Sequence, residues 1–320
     1  MTKELRGVKP RTFKQKYFSD PTSAFIVFFF LLIFKILPID VASFLGEKLG
    51  ILMGGLFKSK NKTAMHNLTK VFPNKTLEEK NQIIRDMWKN LGRLCGEIPH
   101  LDAIARTRVD IEGKEHLQTA VGQAHTQTGG FFFSAHIGNW ELCIRIAQYF
   151  NLPIHGVYRM ANNPWIEKFL FEKRQSDKSE LLPKGTVGAR KMIAALKKKE
   201  WIALLTDQKA NEGISVPFLG FDAMTTPSLA KIALKMKLPT YPAHVVRLHG
   251  AHFKIIIQDN ILPDLPDTDE NVFFMTKTIN DIISEWIYDN PAQWLWIHHR
   301  WDKQEYKTDK KKQIQERTDS

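Results

Sequence analysis

His136, Glu141, Arg159 and Asp207 are the side chains whose types and places suit acid–base chemistry in this chain. His136 lies in Gly129–Glu141, GGFFFSAHIGNWE, where two glycines lead into three phenylalanines and then into a polar turn. An unperturbed imidazole titrates near neutrality, so it can take a proton from a hydroxyl and return it to a leaving group. Such a base needs a partner that fixes its tautomer and stabilises the imidazolium. Glu141 is the nearest candidate. On a regular helix a five-residue separation is about 140° of rotation. The turn at Gly138 must therefore set His136 ahead of the helix for the two to meet.

The elements that would position these groups are strands. Phe131–Phe133 reads as a buried strand ending at His136, Ile154–Tyr158 as one ending at Arg159, and Trp201–Leu205 as one ending near Asp207. Ligands bind at the carboxyl ends of strands in open α/β sheets, so three polar groups leaving one edge would converge on one cleft. Arg159 suits a phosphate or an oxyanion, as do amides at the start of the following helix. Taken singly, each has an ordinary reading: a structural histidine, a surface arginine, a turn aspartate. Their shared placement favours a site. Ser134 is a poor nucleophile, because Phe132 stands where G-x-S-x-G requires its first glycine. The economical scheme has the base act directly on a substrate hydroxyl.

Other chemistries lack their motifs. H-E-x-x-H, the P-loop and G-x-G-x-x-G are absent. The two cysteines, Cys95 and Cys143, make neither a disulfide framework nor a Cys-x-x-Cys zinc site, which fits a reducing compartment. The adjacent His298 and His299 point apart on a strand, so no metal and no cofactor is expected. The net charge of +12 favours an anionic partner: nucleic acid, anionic lipid, a phosphorylated ligand or an acidic protein. Trp294, Trp296 and Trp301 read as core and membrane-interface aromatics, not as a base-stacking platform.

The N-terminal segment is basic and precedes an unbroken apolar run, Ala24–Phe34, interrupted by Lys35. This predicts a membrane-attached helix, spanning or interfacial, with the basic flank cytoplasmic if it spans; a buried core helix is the ordinary alternative. Val41–Phe57 has helical periodicity with Gly46, Gly50 and Gly54 on one stripe, suited to close packing, and Lys58–Lys62 reads as a basic turn. Thr76 and Glu79 form a capping box that opens a helix whose apolar face carries Ile84, Met87, Leu94 and Cys95, the last as an inert buried thiol. Strand and helix signals then alternate to about Ile287. The expected fold is α/β: a central mixed sheet flanked by helices, with an N-terminal hydrophobic membrane-associated helix. The expected division is a basic N-terminus and anchor helix over 1–40, an α/β domain over 41–302 and a polar tail over 303–320.

Four ordered blocks carry a family resemblance. AHIGNWE around His136 and Glu141 resembles the HX4(D/E) motif of membrane glycerolipid and lipid A acyltransferases. Gly156–Arg159 with Asn162–Pro164, Leu205–Lys209 followed by Val216–Gly220, and Trp296–Trp301 are similar to blocks of the lipid A secondary acyltransferases. The resemblance implies a glycerolipid-acyltransferase-like enzyme on the cytoplasmic face of a bacterial inner membrane. It would move an acyl chain from acyl carrier protein to a hydroxyl of a 3-hydroxyacyl chain on a lipid A precursor. His136 would be the base and Glu141 its partner, with Arg159, Asp207, Asn139, Lys209 and Arg300 at substrate-binding positions. His298-His299-Arg300 departs from the His-Arg-Arg of many relatives. The alternatives are an acyltransferase acting on a lysophospholipid, ornithine lipid or glycolipid, and a non-catalytic membrane protein that binds anionic lipid or nucleic acid.

Overall fold

A computed structural model describes residues 12–13, 15–158, 161–174, 179–302 and 304–306. Arg159, the basic segment up to residue 11 and the tail from 307 lie outside the described residues.

Seven strands form one mixed sheet. Their spatial order is β1 (Val109–Glu112), β9 (His252–Ile257), β8 (Thr240–His249), β2 (Gly130–Ser134), β5 (Trp201–Leu205), β3 (Ile154–Tyr158) and β4 (Leu181–Pro183). Strand β2 runs parallel to both neighbours, β5 and β8; within this sheet the β8–β9 pair is antiparallel and the other pairs are parallel. Both faces of β2 are covered, which is why its sequence is apolar without alternation. Phe132 meets Trp201 and Tyr241 on one face, at ring-centroid distances of 5.2 and 5.5 Å; Phe133 stacks on Trp286 on the other, at 6.0 Å.

Helices α5 (Leu101–Thr107), α6 (Lys114–Gln123) and α7 (Glu141–Tyr149) contribute to the Phe132 side of the core. The Phe133 side is closed by α3 (Lys58–Val71), α4 (Leu77–Glu97), α9 (Thr186–Lys197), α10 (Ser228–Met236) and α11 (Asp269–Asp289). The Thr76–Glu79 capping box is formed: Thr76 Oγ1 accepts from the Glu79 amide at 3.2 Å, and Glu79 Oε2 accepts from the Thr76 amide at 2.7 Å.

Helix α2 (Ile39–Leu56) packs on α4 through the expected glycine stripe. A Cβ on Gly92 would lie 2.2 Å from the Gly46 carbonyl oxygen, and one on Gly50 would lie 2.2 Å from that of Trp88. Backbones this close admit no side chain between them.

Helix α1 (Asp20–Ile36) continues from a π-helical turn, Gln15–Ser19, to give 22 residues long and apolar enough to cross a membrane, with 17 % of its most apolar window buried. It lies against the domain along its length. Asn163 Nδ2 donates to the Asp20 carbonyl at 2.7 Å and to Ser23 Oγ at 2.9 Å. Phe28 meets Phe169, the latter in α8 (Pro164–Arg174), at 5.2 Å, and His100 Nε2 lies 2.8 Å from the Phe34 carbonyl oxygen.

Two local expectations need correction, and one element has no counterpart in the sequence reading. Lys58–Lys62 is the first turn and a half of α3, not a loop; lysine is a good helix former, and the apolar residues that anchor the helix, Ala64, Leu68 and Val71, come only later. Cys95 is exposed, because α4 turns its glycines, not that face, towards α2. A hairpin of β6 (Ile214–Phe218) and β7 (Phe221–Thr225) went unread. Pro217 weakens its strand signal, and its turn is Leu219-Gly220, both with positive φ, in place of the usual Asn-Gly.

Candidate active site

The geometry around His136 follows from strand register. Ser134 at the end of β2 pairs with Leu205 at the end of β5, and the Thr206 amide donates to the Ser134 carbonyl at 3.1 Å. Two residues beyond each paired end stand His136 and Asp207. His136 Nδ1 lies 2.8 Å from Asp207 Oδ1, and the His136 amide donates to Asp207 Oδ2 at 3.1 Å. The indole Nε1–H of Trp294 donates to the same Oδ2 at 2.8 Å.

Burial by itself pushes the Asp207 carboxyl upward, but the His136 imidazole and these three hydrogen bonds outweigh it and hold the group well below the usual carboxylate range. An ionised carboxylate only accepts hydrogen bonds, so Nδ1 carries the proton and Nε2 presents its lone pair. The Gln208 amide nitrogen stands 3.4 Å from Nε2. The His136 side chain is 18 % exposed and that of Asp207 only 3 %, the pattern of a base reachable from solvent on a buried support.

The hydrogen bond from Nδ1 goes to Asp207, where Glu141 was the expected partner. The single Nδ1–H is directed at Asp207, because in-register parallel strands sit about 4.8 Å apart and bring their next residues together. Glu141 begins α7 and borders a cavity of about 480 Å³ with Arg145 of the same helix, Phe28, Leu31 and Leu32 of α1, and Ile98. Ser134 Oγ is buried beside Cys143 Sγ at 3.7 Å, away from the role of a nucleophile.

The turn that carries His136 is pinned on both sides. Gly138 has φ +58°, and a Cβ there would lie 2.1 Å from the Val245 carbonyl oxygen, so only glycine fits. Its amide donates to the Gln293 carbonyl at 3.1 Å, the Leu295 amide donates to the His136 carbonyl at 3.1 Å, and Ile137 bridges to Trp294. On the other side, Asn90 Nδ2 donates to the Gly138 carbonyl at 3.0 Å and Asn139 Nδ2 to Glu97 Oε2 at 2.8 Å. Arg247 joins these two supports: its Nε donates to Asn90 Oδ1 at 2.8 Å and its guanidinium grips both Glu97 oxygens. Ser43 adds a hydrogen bond to Glu97 at 2.7 Å. Glu97 is fully buried.

Asn139 and Arg300 were expected at substrate-binding positions; both are buried and bonded within the protein. Asn139 is 0 % exposed and holds Glu97. Arg300 donates to the Met224 carbonyl at 3.1 Å and Thr225 Oγ1 at 2.8 Å, and lies over Phe218 at 4.2 Å. Burial pushes it down to about 10. Lys209 Nζ donates to the Trp301 carbonyl at 3.2 Å and ties the loop after β5 to the carboxyl-terminal segment. Trp294, Trp296 and Trp301 are all core.

Sequence reasoning missed Trp294, Glu97, Asn90 and Arg247 as supports, and His298, whose ring lies 6.2 Å from that of His136. Burial, then the repulsion of His136, pushes His298 down to about 4. Among the described residues, no three His, Cys, Asp or Glu side chains gather where they could hold a metal ion.

Residues 11–303 match the family described as bacterial lipid A biosynthesis acyltransferase. The lipid A biosynthesis palmitoleoyltransferase of Escherichia coli (strain K12) is 27 % identical over 274 residues, covering 82 % of this chain and 86 % of its own. The lipid A biosynthesis acyltransferase of Haemophilus influenzae is 24 % identical over 284 residues, 84 % of each chain. Among solved structures, the 1-acyl-sn-glycerophosphate acyltransferase PlsC from Thermotoga maritima aligns with 80 % of this chain and 96 % of its own, at 12 % identity and a TM-score of 0.37. With nearly its whole length matched, the chain belongs to the bacterial lipid A biosynthesis acyltransferase family.

Proposed function

We propose that this protein transfers an acyl chain from the thioester of acyl carrier protein to a hydroxyl of a 3-hydroxyacyl chain on a lipid A precursor, at the cytoplasmic face of the inner membrane. The observation that carries this reading is the His136–Asp207 pair at the joined ends of β2 and β5, in a chain of this family. His136 Nε2 removes the proton from the acceptor hydroxyl as its oxygen attacks the thioester carbonyl. The tetrahedral intermediate collapses with cleavage of the C–S bond, and the imidazolium returns the proton to the departing thiolate. A C–O ester bond replaces the thioester, and no acyl-enzyme forms. Asp207 holds the tautomer that leaves Nε2 basic and stabilises the imidazolium.

Glu141 acts on the substrate side of the site, at the mouth of the apolar cavity, where it positions the acceptor. The cavity, within the usual range of ligand pockets, takes an acyl chain against Phe28, Leu31 and Leu32. Arg159, following β3, steadies a phosphate or the oxyanion. The positive surplus of the chain suits an acidic carrier protein.

The test is to incubate purified protein in detergent with acyl carrier protein thioesters of several lengths and either a lipid A precursor or a lysophospholipid, and to weigh the products. Addition of one acyl group to the lipid A precursor is expected. Acylation of the lysophospholipid alone would move the protein to another lipid acceptor.

A further inference from the structure

Helix α1 is long and apolar enough to cross a membrane, yet it is held against the domain along its length. It is fastened near its start by Asn163 to Asp20 and Ser23, at its middle by Phe169 to Phe28, and near its end by His100 to Phe34. Residues 20 to 34 cover about 21 Å at 1.5 Å per residue, most of the roughly 30 Å hydrocarbon core. If α1 crossed the bilayer while keeping these contacts, the domain surface beside it would enter hydrocarbon. That surface carries Asp102 and Arg145, which border the same cavity as α1. Charges at that depth are strongly disfavoured.

The outward side of α1 shows what it does instead. Phe25, Phe29, Leu32 and Ile36 are exposed at a four-three-four spacing, one stripe of the helix. Helix α2 follows after Leu37-Pro38 and exposes its own stripe: Val41, Phe44, Leu45, Leu52 and Leu56. Its opposite face is locked to α4 by the glycine contacts, so α2 can sink only to half its thickness. Exposed apolar faces of this extent mark interaction surfaces. Lys35, Lys48, Lys58, Lys60 and Lys62 are exposed on or beside them, as cations that reach from an interfacial helix to anionic headgroups.

We infer that α1 and α2 form a platform embedded in one leaflet of an anionic bilayer, and that α1 does not span it. The partner is the lipid surface itself. One consequence concerns access. The cavity beside Glu141 has α1 as one wall, so a lipid chain reaches the site sideways from the leaflet, passing beside Leu31 and Leu32. This inference rests on the membrane-lipid reading given above.

Two labels test the geometry on full-length protein bound to unilamellar vesicles of phosphatidylglycerol and phosphatidylcholine, in a Cys95→Ser, Cys143→Ala background. In the first, Ser23→Cys with Asn163→Cys is oxidised. The platform predicts the same cross-linked fraction on vesicles as in detergent; a cross-link confined to detergent would overturn it. In the second, Thr12→Cys carries a nitrobenzoxadiazole dye, and dithionite is added outside. Full quenching is expected, because both ends of α1 stay on the domain's side. Protection of the dye on vesicles that carry the domain outside would mean that α1 spans. Acyl transfer measured in detergent separates a failure of the platform from a failure of the proposed activity.

Discussion

The proton on His136 Nδ1 points at a carboxylate 71 residues downstream in the chain, Asp207, at 2.8 Å, and not at Glu141 on the neighbouring helix. The two carboxylates near His136 therefore differ in their surroundings, and the proposed mechanism gives them different roles. Asp207 is buried, triply hydrogen-bonded and ionised; Glu141 borders the cavity beside α1. Proton NMR of the imidazole separates these roles. Asp207→Asn is expected to abolish the downfield Nδ1–H resonance of His136, whereas Glu141→Gln leaves it in place while lowering acyl transfer. Loss of that resonance in Glu141→Gln would return the orienting role to Glu141.

The cavity wall supplied by α1 gives a prediction about chain length. Leu31 is half-buried there. Leu31→Trp takes up part of the space and is expected to shift donor preference towards shorter acyl chains, with little effect on turnover of the shortest chain accepted. Product masses from a mixture of carrier thioesters report the shift directly. An unchanged product distribution would place the chain elsewhere.

Arg247 and Glu97 hold the turn that carries His136 through Asn90 and Asn139. A buried ion pair adds little net stability, but removing one partner strands the other. Arg247→Met should therefore cost about 3–5 kcal/mol, seen as a lower denaturant midpoint. Replacing both, Arg247→Met with Glu97→Leu, should recover most of that stability while kcat stays at least about tenfold down, since geometry set by a support far from the reacting atoms still governs the rate. Full recovery of kcat in the double variant would make the pair a packing feature only.

Buried His244 and half-buried His298 predict how stability falls on the acid side. Burial pushes His244, stacked on Trp286 at 4.3 Å, down to about 4, and His298 likewise. The unfolded chain takes up these protons near pH 6.5 and the folded chain only near 4, so stability falls as pH drops through that window and is fully retained above it. Each site contributes on the order of 3 kcal/mol over the whole window. His244→Phe should flatten the fall in urea midpoint between pH 7 and pH 5; an unaltered slope would show that His244 is protonated in the folded state.

Much of this site was legible in the sequence. Three phenylalanines followed by a polar turn specified β2 and delivered His136 to the sheet edge, and Asp207 was recognised at the same edge. Their direct pairing was not read, because it depends on which strand lies beside β2, and β5 comes between β2 and β3 although β3 is nearer in sequence. Nearness along the chain favoured Glu141; nearness across the sheet brings Asp207 to Nδ1. The support from Arg247, Asn90 and Glu97 was invisible for the same reason: it joins a helix, a distant strand and a turn only after folding. The Gly46–Gly50–Gly54 stripe was legible as a packing surface because its spacing is local, but its partner, Gly92 and Trp88 of α4, was not.

The most direct measurement is the rate of acyl transfer from a carrier thioester to the lipid A precursor by wild type, His136→Ala and Asp207→Asn, with product identified by mass. If His136 is the base and Asp207 its orienter, both variants should keep wild-type donor binding while kcat falls by about 10²–10⁴. Wild-type turnover in His136→Ala would contradict the mechanism outright.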